Sequence, residues 1–138
     1  MNDDRPISWC VTRHVALAPP VAAGTLTELV DARREPTLDD AARLDGGLVV
    51  APSHGTGALR TFPGRLSVSR WRRPLTVELE LGPWSRTAAE LLLRPRRPPS
   101  LGLADAYWQA STAVLDTLRA DLLAHAPERP ARELRRAS

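Results

Sequence analysis

The stretch "PLTVELEL", from Pro74 to Leu81, alternates apolar and polar residues with a period of two, and "SRTAAELLLRP" repeats the habit a few residues later. Successive side chains of a strand point to opposite faces, so such segments form a sheet with one apolar face and one wet face. Leu75, Val77 and Leu79 then share the apolar face with Ala89, Leu91 and Leu93, and Thr76, Glu78 and Glu80 take the other side. A slip of one residue would turn every side chain over, so apolar faces constrain the pairing. A tight turn at Arg72-Arg73 sets Val68 against Val77 and Leu66 against Leu79. A turn at Gly82-Pro83-Trp84 sets Leu79 against Thr87, Val77 against Ala89 and Leu75 against Leu91, with Glu80 beside Arg86 and Thr76 beside Glu90.

That face assignment decides what Glu78 and Glu80 are for. Glycosidase-type chemistry needs two carboxyls facing each other across a cleft, one of them desolvated. Neighbours on the water-facing side of a sheet do not provide this, and the two glutamates read as solvated.

An antiparallel sheet with one apolar face needs a cover. After the "RPRRPPS" linker, "LADAYWQASTAVLDTLRADLLAHA" is a long amphipathic helix with Ala104, Tyr107, Trp108, Ser111, Val114, Leu115, Leu118 and Leu122 along its apolar stripe. Upstream, "SWCVTRHVALAPP" alternates as a strand, with Arg13 interrupting its apolar side, and Pro19-Pro20 start a helix over "VAAGTLTELVDARR". "PTLDDAARLDGG" reads as a short second helix with Thr37 as N-cap, acids in its first turn and Gly46-Gly47 as the stop. "LVVAP" is a short strand, "SHGTG" a turn, and "ALRTF" and "RLSVSRW" are two strands joined by a turn at Pro63-Gly64. At 138 residues the chain makes one domain, residues 1–126, followed by a charged, Pro-broken tail at 127–138.

The order is strand, two short helices, a run of antiparallel strands and a long C-terminal helix: an α+β chain. In this it resembles the helix-grip fold of the START/polyketide-cyclase-like (SRPBCC) superfamily, from "SWCVTRHVALAPPVAAGTLTELVDA" through "PLTVELELGPWSRTAAELLLRP" to "YWQASTAVLDTLRADLL". The resemblance implies a curved sheet wrapped against the C-terminal helix. It also implies an apolar or amphipathic small molecule bound between them; some members are cyclases or hydrolases. A ligand pocket would be lined by Val77, Leu79, Ala89, Leu91 and Leu93 from the sheet and Tyr107, Trp108, Ser111 and Leu115 from the helix. Tyr107 and Ser111 stand at i, i+4 and could offer hydroxyls to a ligand, or bond to nearby backbone in a filled core.

The predicted register also gathers Arg70, Arg72 and Arg73 near Arg94, Arg96 and Arg97, beside Trp71, as a surface for an anion or an acidic protein partner. Against that stands composition. All 19 basic residues are Arg, the mark of a GC-rich genome, and the net charge is only +3, which argues against a nucleic-acid binder. His14, His54 and His125 are scattered with no second ligand at metal spacing, and "HGTG" at His54 has no Gly-x-Ser-x-Gly elbow to serve. Cys10 reads as a small buried hydrophobe on a strand. No catalytic residue, metal or cofactor is indicated, and the expectation is binding rather than catalysis. No apolar run approaches the roughly 18 residues of a membrane span, and "MNDDRPISWC" opens with acids rather than a basic leader, so the expected location is the cytoplasm.

Overall fold

The computed structural model describes residues 10–32, 42–44, 47–68, 71–97 and 101–126, with backbone alone for 42–43, 71–73 and 101–103. Among these residues the order is β1 (Val11–Val15), α1 (Pro19–Ala32), β2 (Ala42–Leu44), β3 (Leu48–Val50), β4 (Arg60–Val68), β5 (Trp71–Pro83), β6 (Ala89–Pro95) and α2 (Leu101–His125). The strands form one six-stranded sheet in the order β1-β6-β5-β4-β3-β2, every neighbouring pair antiparallel. The chain is thus α+β, with a long C-terminal helix as expected.

Opposed residues share a face, so the register shows how the core is built. Val11, Leu93, Leu79 and Phe62 stand in one row across β1, β6, β5 and β4. Leu44, Leu48, Leu66 and Leu75 form another across β2 to β5. Both helices cover this face: Leu26, Leu29 and Val30 of α1 and Val114, Leu115, Leu118 and Leu122 of α2 join the same buried cluster. Two threonines sit inside α1 at no cost in unsatisfied hydroxyls, because Thr25 and Thr27 donate to the carbonyls of Val21 and Ala23, each at 2.8 Å. No described helix is long and apolar enough to cross a membrane.

Four expectations need correction. The second helix is not present over Ala42–Leu44, which instead forms β2 and places Leu44, 3% exposed, opposite Leu48. A short helix there would pay the cost of nucleation without extending this apolar row; Thr37 and the acids after it lie outside the described residues. Pro63-Gly64 is not a turn but the middle of β4. Pro63 is tolerated because it stands just past the last β3 pair, Val50 with Gly64, where Ala51 N–H donates to the Pro63 carbonyl at 2.8 Å. Gly64 is there for space: a Cβ on it would lie 2.5 Å from the Val49 carbonyl oxygen and 2.9 Å from Val50 Cγ1.

The two hairpin registers differ as well. The chain has already reversed by Trp71, which pairs with Val68, so Arg72-Arg73 belongs to β5 and Leu66 faces Leu75 across a bulge between Leu66 and Val68. The β5–β6 reversal occupies Trp84 to Ala88, closed by Trp84 and Ser85 N–H groups on the Ala88 carbonyl at 3.1 and 3.0 Å. Leu79 therefore faces Leu93 and Val77 faces Pro95. Both slips are by an even number of residues, so the inward positions Leu66, Leu75, Val77, Leu79, Ala89 and Leu91 kept their expected face. The "SHGTG" turn is present, with Gly55 at φ 118 and a Cβ there only 2.5 Å from the Leu59 carbonyl oxygen.

Candidate functional site

The sheet–helix layer assembles from the expected residues with one exception. Val77, Leu79, Ala89, Leu91, Leu93, Ser111 and Leu115 are all 0% exposed and Tyr107 is 2% exposed, while Trp108 is 48% exposed. Trp108 lies at the margin of the helical stripe and turns to solvent, so it does not line this layer. Side chains with no accessible surface border no space a water molecule could enter, so the layer is closed around them. The Ser111 hydroxyl donates to the Tyr107 carbonyl at 2.7 Å, one turn back on the same helix. Burial pushes the Tyr107 phenol above its ordinary range, since its ionised form would be desolvated.

Arg13, which interrupts the apolar side of β1, reaches the covering helix: its Nε donates to Asp116 Oδ1 at 2.7 Å and its guanidinium also donates to the Thr12 carbonyl at 2.7 Å. The Arg13 hydrogen bond holds the Asp116 carboxyl below the usual carboxylate range, with the charges of Arg13 and Arg119 adding to it. An ionic rivet thus ties the edge strand to α2 at the rim of the core.

On the opposite face of the sheet, Glu78 and Glu80 are where the alternation puts them. Their partners come from the observed register. Arg94, directly opposite Glu78, donates to Glu80 Oε1 at 2.8 Å and Glu78 Oε2 at 3.3 Å, and Arg96 Nε lies 3.1 Å from Glu78 Oε1. Arg86, the partner expected for Glu80, is exposed in the β5–β6 turn instead. This ladder pairs two of the six arginines of the expected corner, Arg94 and Arg96. Arg97 is exposed; Arg70 and the side chains of Arg72 and Arg73 lie outside the described residues. Pairs this open to water contribute about 0–1 kcal/mol each. They set the order of Arg94 and Arg96 across the strands.

A cluster that sequence reasoning did not assemble lies at the other end of this outer face. His14 of β1 stands directly opposite Glu90 of β6, which is opposite Gly82 of β5. His14 Nε2 is 3.1 Å from Glu90 Oε2, and its ring stacks on Trp84 with centroids 3.9 Å apart and planes 25° from parallel. Gly82 leaves room beside them, a Cβ there lying 3.6 Å from Leu59 Cδ1. Trp84 and Leu59 are 59% and 55% exposed, so two large apolar side chains flank this row.

Cys10 is exposed and lies just before β1, against the expectation of a buried hydrophobe on a strand. Among the described residues, no three His, Cys, Asp or Glu side chains gather as a metal site would require. The chain matches no protein-family model, and no curated protein matches it in sequence.

Proposed function

We propose that this chain is a helix-grip domain of the START/polyketide-cyclase-like kind, working in the cytoplasm by binding an apolar or amphipathic small molecule between the sheet and α2. The observation that carries the proposal is the strand order. The N-terminal strand β1 lies beside the last strand β6, the meander β3 to β6 runs between, and α2 lies over the apolar face. The resemblance implies a sheet set against the C-terminal helix, and this order, with β2 and β3 as the far edge, supports that reading. The layer is apolar apart from the hydroxyls of Tyr107, Ser111 and Thr25, so it suits an apolar solute. Because its walls have no exposed surface, a ligand enters by parting α2 from the sheet.

Binding is favoured over cyclase or hydrolase chemistry by the state of the polar groups. The Ser111 hydroxyl donates to its own helix, and the glutamates of β5 sit on the far face with Arg94 and Arg96. The acidic-partner alternative loses support for the same reason, since Arg94 and Arg96 already have carboxylates.

Native mass spectrometry of the protein purified from its own cells tests the proposal. The expected result is a co-purifying apolar compound that, added back to stripped protein, shifts the methyl resonances of Leu91 and Leu115. A bare chain mass, together with α2 amides that exchange only on global unfolding, would remove it.

A further inference from the structure

We propose that His14, Glu90 and Trp84 form a proton-responsive clasp that ties the edge strand β1 to the β5–β6 turn. This goes beyond the ligand reading, because it lies on the opposite face of the sheet from α2. The geometry supplies both halves of the device. His14 Nε2 meets the Glu90 carboxylate at 3.1 Å, and the imidazole face lies on the Trp84 indole at 3.9 Å. With a neutral ring these are an ordinary hydrogen bond and a stack of two π systems. With a protonated ring the first becomes a charge-assisted bond and the second places a cation on an indole face. Both contacts strengthen together on protonation, so acid tightens the clasp.

The surrounding charges leave this logic intact. From β6 the group facing His14 is Glu90. From the β5–β6 turn the charged residue is Arg86, which is exposed. From β5 it is Glu80, whose carboxylate is held by Arg94. On β1 itself, Arg13 extends to the other face and is paired with Asp116.

The exposed partner in the clasp is the turn. Trp84 and Ser85 hold the Ala88 carbonyl, and Ser85 Oγ accepts from Thr87 N–H at 3.3 Å, but Trp84 to Thr87 are exposed. Among the described contacts, the stack on His14 is what carries this turn across β6 to the first strand. Loosening it frees the end of β5 from β1 without opening the core.

Nitrogen-15 NMR of the full chain between about pH 8 and pH 5, the ordinary imidazole range, tests the clasp. The indole N–H of Trp84, assigned with Trp84→Phe, is followed together with the heteronuclear NOEs of Ser85 to Thr87. The Trp84 resonance is expected to move with the titration of the His14 ring, and the turn NOEs to rise on acidification. His14→Gln keeps a donor for Glu90 but has no charge to gain, so both responses vanish while the Val77 and Leu79 amides stay in place. Glu90→Gln, which retains an acceptor, leaves a smaller NOE rise. A Trp84 resonance that ignores pH, turn NOEs that do not change, or the same response in His14→Gln would each overturn the proposal.

Discussion

Replacing Leu79 with Ala tests whether the layer between sheet and helix is as full as the burial describes. Leu79 is 0% exposed, with Leu93 on one side and Phe62 on the other, both also 0% exposed. The substitution removes a side-chain fork of three carbons. At about 0.8 kcal/mol per buried carbon group, the transfer loss alone is about 2.4 kcal/mol. A cavity adds to this when the walls cannot collapse, and β-ladders on both flanks hold Phe62 and Leu93 in place. A total of about 3–4 kcal/mol follows, inside the 2–5 kcal/mol range for such truncations. That is a large part of the roughly 5–15 kcal/mol that stabilises a domain. Urea unfolding followed by far-UV circular dichroism reads it as a lower midpoint at unchanged slope. Leu123→Ala is the control: at 48% exposure it shifts stability by no more than about 0.5 kcal/mol. A cost below about 1 kcal/mol at Leu79 would refute the reasoning, because it would mean that the side chain already borders empty space.

Three other substitutions probe separate features. Gly64→Ala destabilises by about 1–2 kcal/mol in the same urea assay: overpacking against the Val49 carbonyl outweighs the smaller gain from a stiffer unfolded chain. Gly24→Ala has the opposite sign, raising stability by about 0.5–1 kcal/mol, because Gly24 is exposed inside α1 and a Cβ there meets nothing within 4 Å. Asp116 has a folded pKa lowered by Arg13, so its contribution is present above the ordinary aspartate value of about 3.9 and is lost as pH falls through the lowered one. Urea midpoints measured down the acid limb should therefore fall less steeply in Asp116→Asn than in the parent, and an identical slope would show that the rivet contributes nothing.

The faces of the strands were legible because alternation is a local property. Glu78 and Glu80 could be placed outside, and Val77 and Leu79 inside, without knowing any partner. Register was not legible, because an even slip preserves every face: Leu66 against Leu79 satisfies the pattern as well as Leu66 against Leu75. What chooses between them is where the chain reverses, and Arg72-Arg73 carries no glycine or asparagine to mark or exclude a turn. Pro63-Gly64 misled in the other direction, since a dipeptide typical of turns serves β4 at the end of its pairing with β3 and through a close approach by β3. Ala42–Leu44 was too short for its period to be read. The candidate sites fared unequally for the same reason. The apolar lining follows from period alone, whereas the Arg94 ladder and the contact of His14 with Trp84 and Glu90 depend on register and on residues far apart in the chain. Trp108 sits one position past the buried Tyr107, at the edge where a helical period no longer decides which way a large ring turns.

The pairing of Val11 with Leu93 has a consequence for how the molecule is made. During synthesis the first strand emerges early and waits for its neighbour until nearly the whole sheet has left the ribosome. The hairpins of β3 to β6 close between near neighbours, whereas the edge of β6 is covered only when the distant β1 docks on it, and pairings this distant are slow to form. A nascent chain of this design therefore carries β1 unpaired until β6 has been made, and chaperone capture or self-association of that strand would compete with the last step of folding.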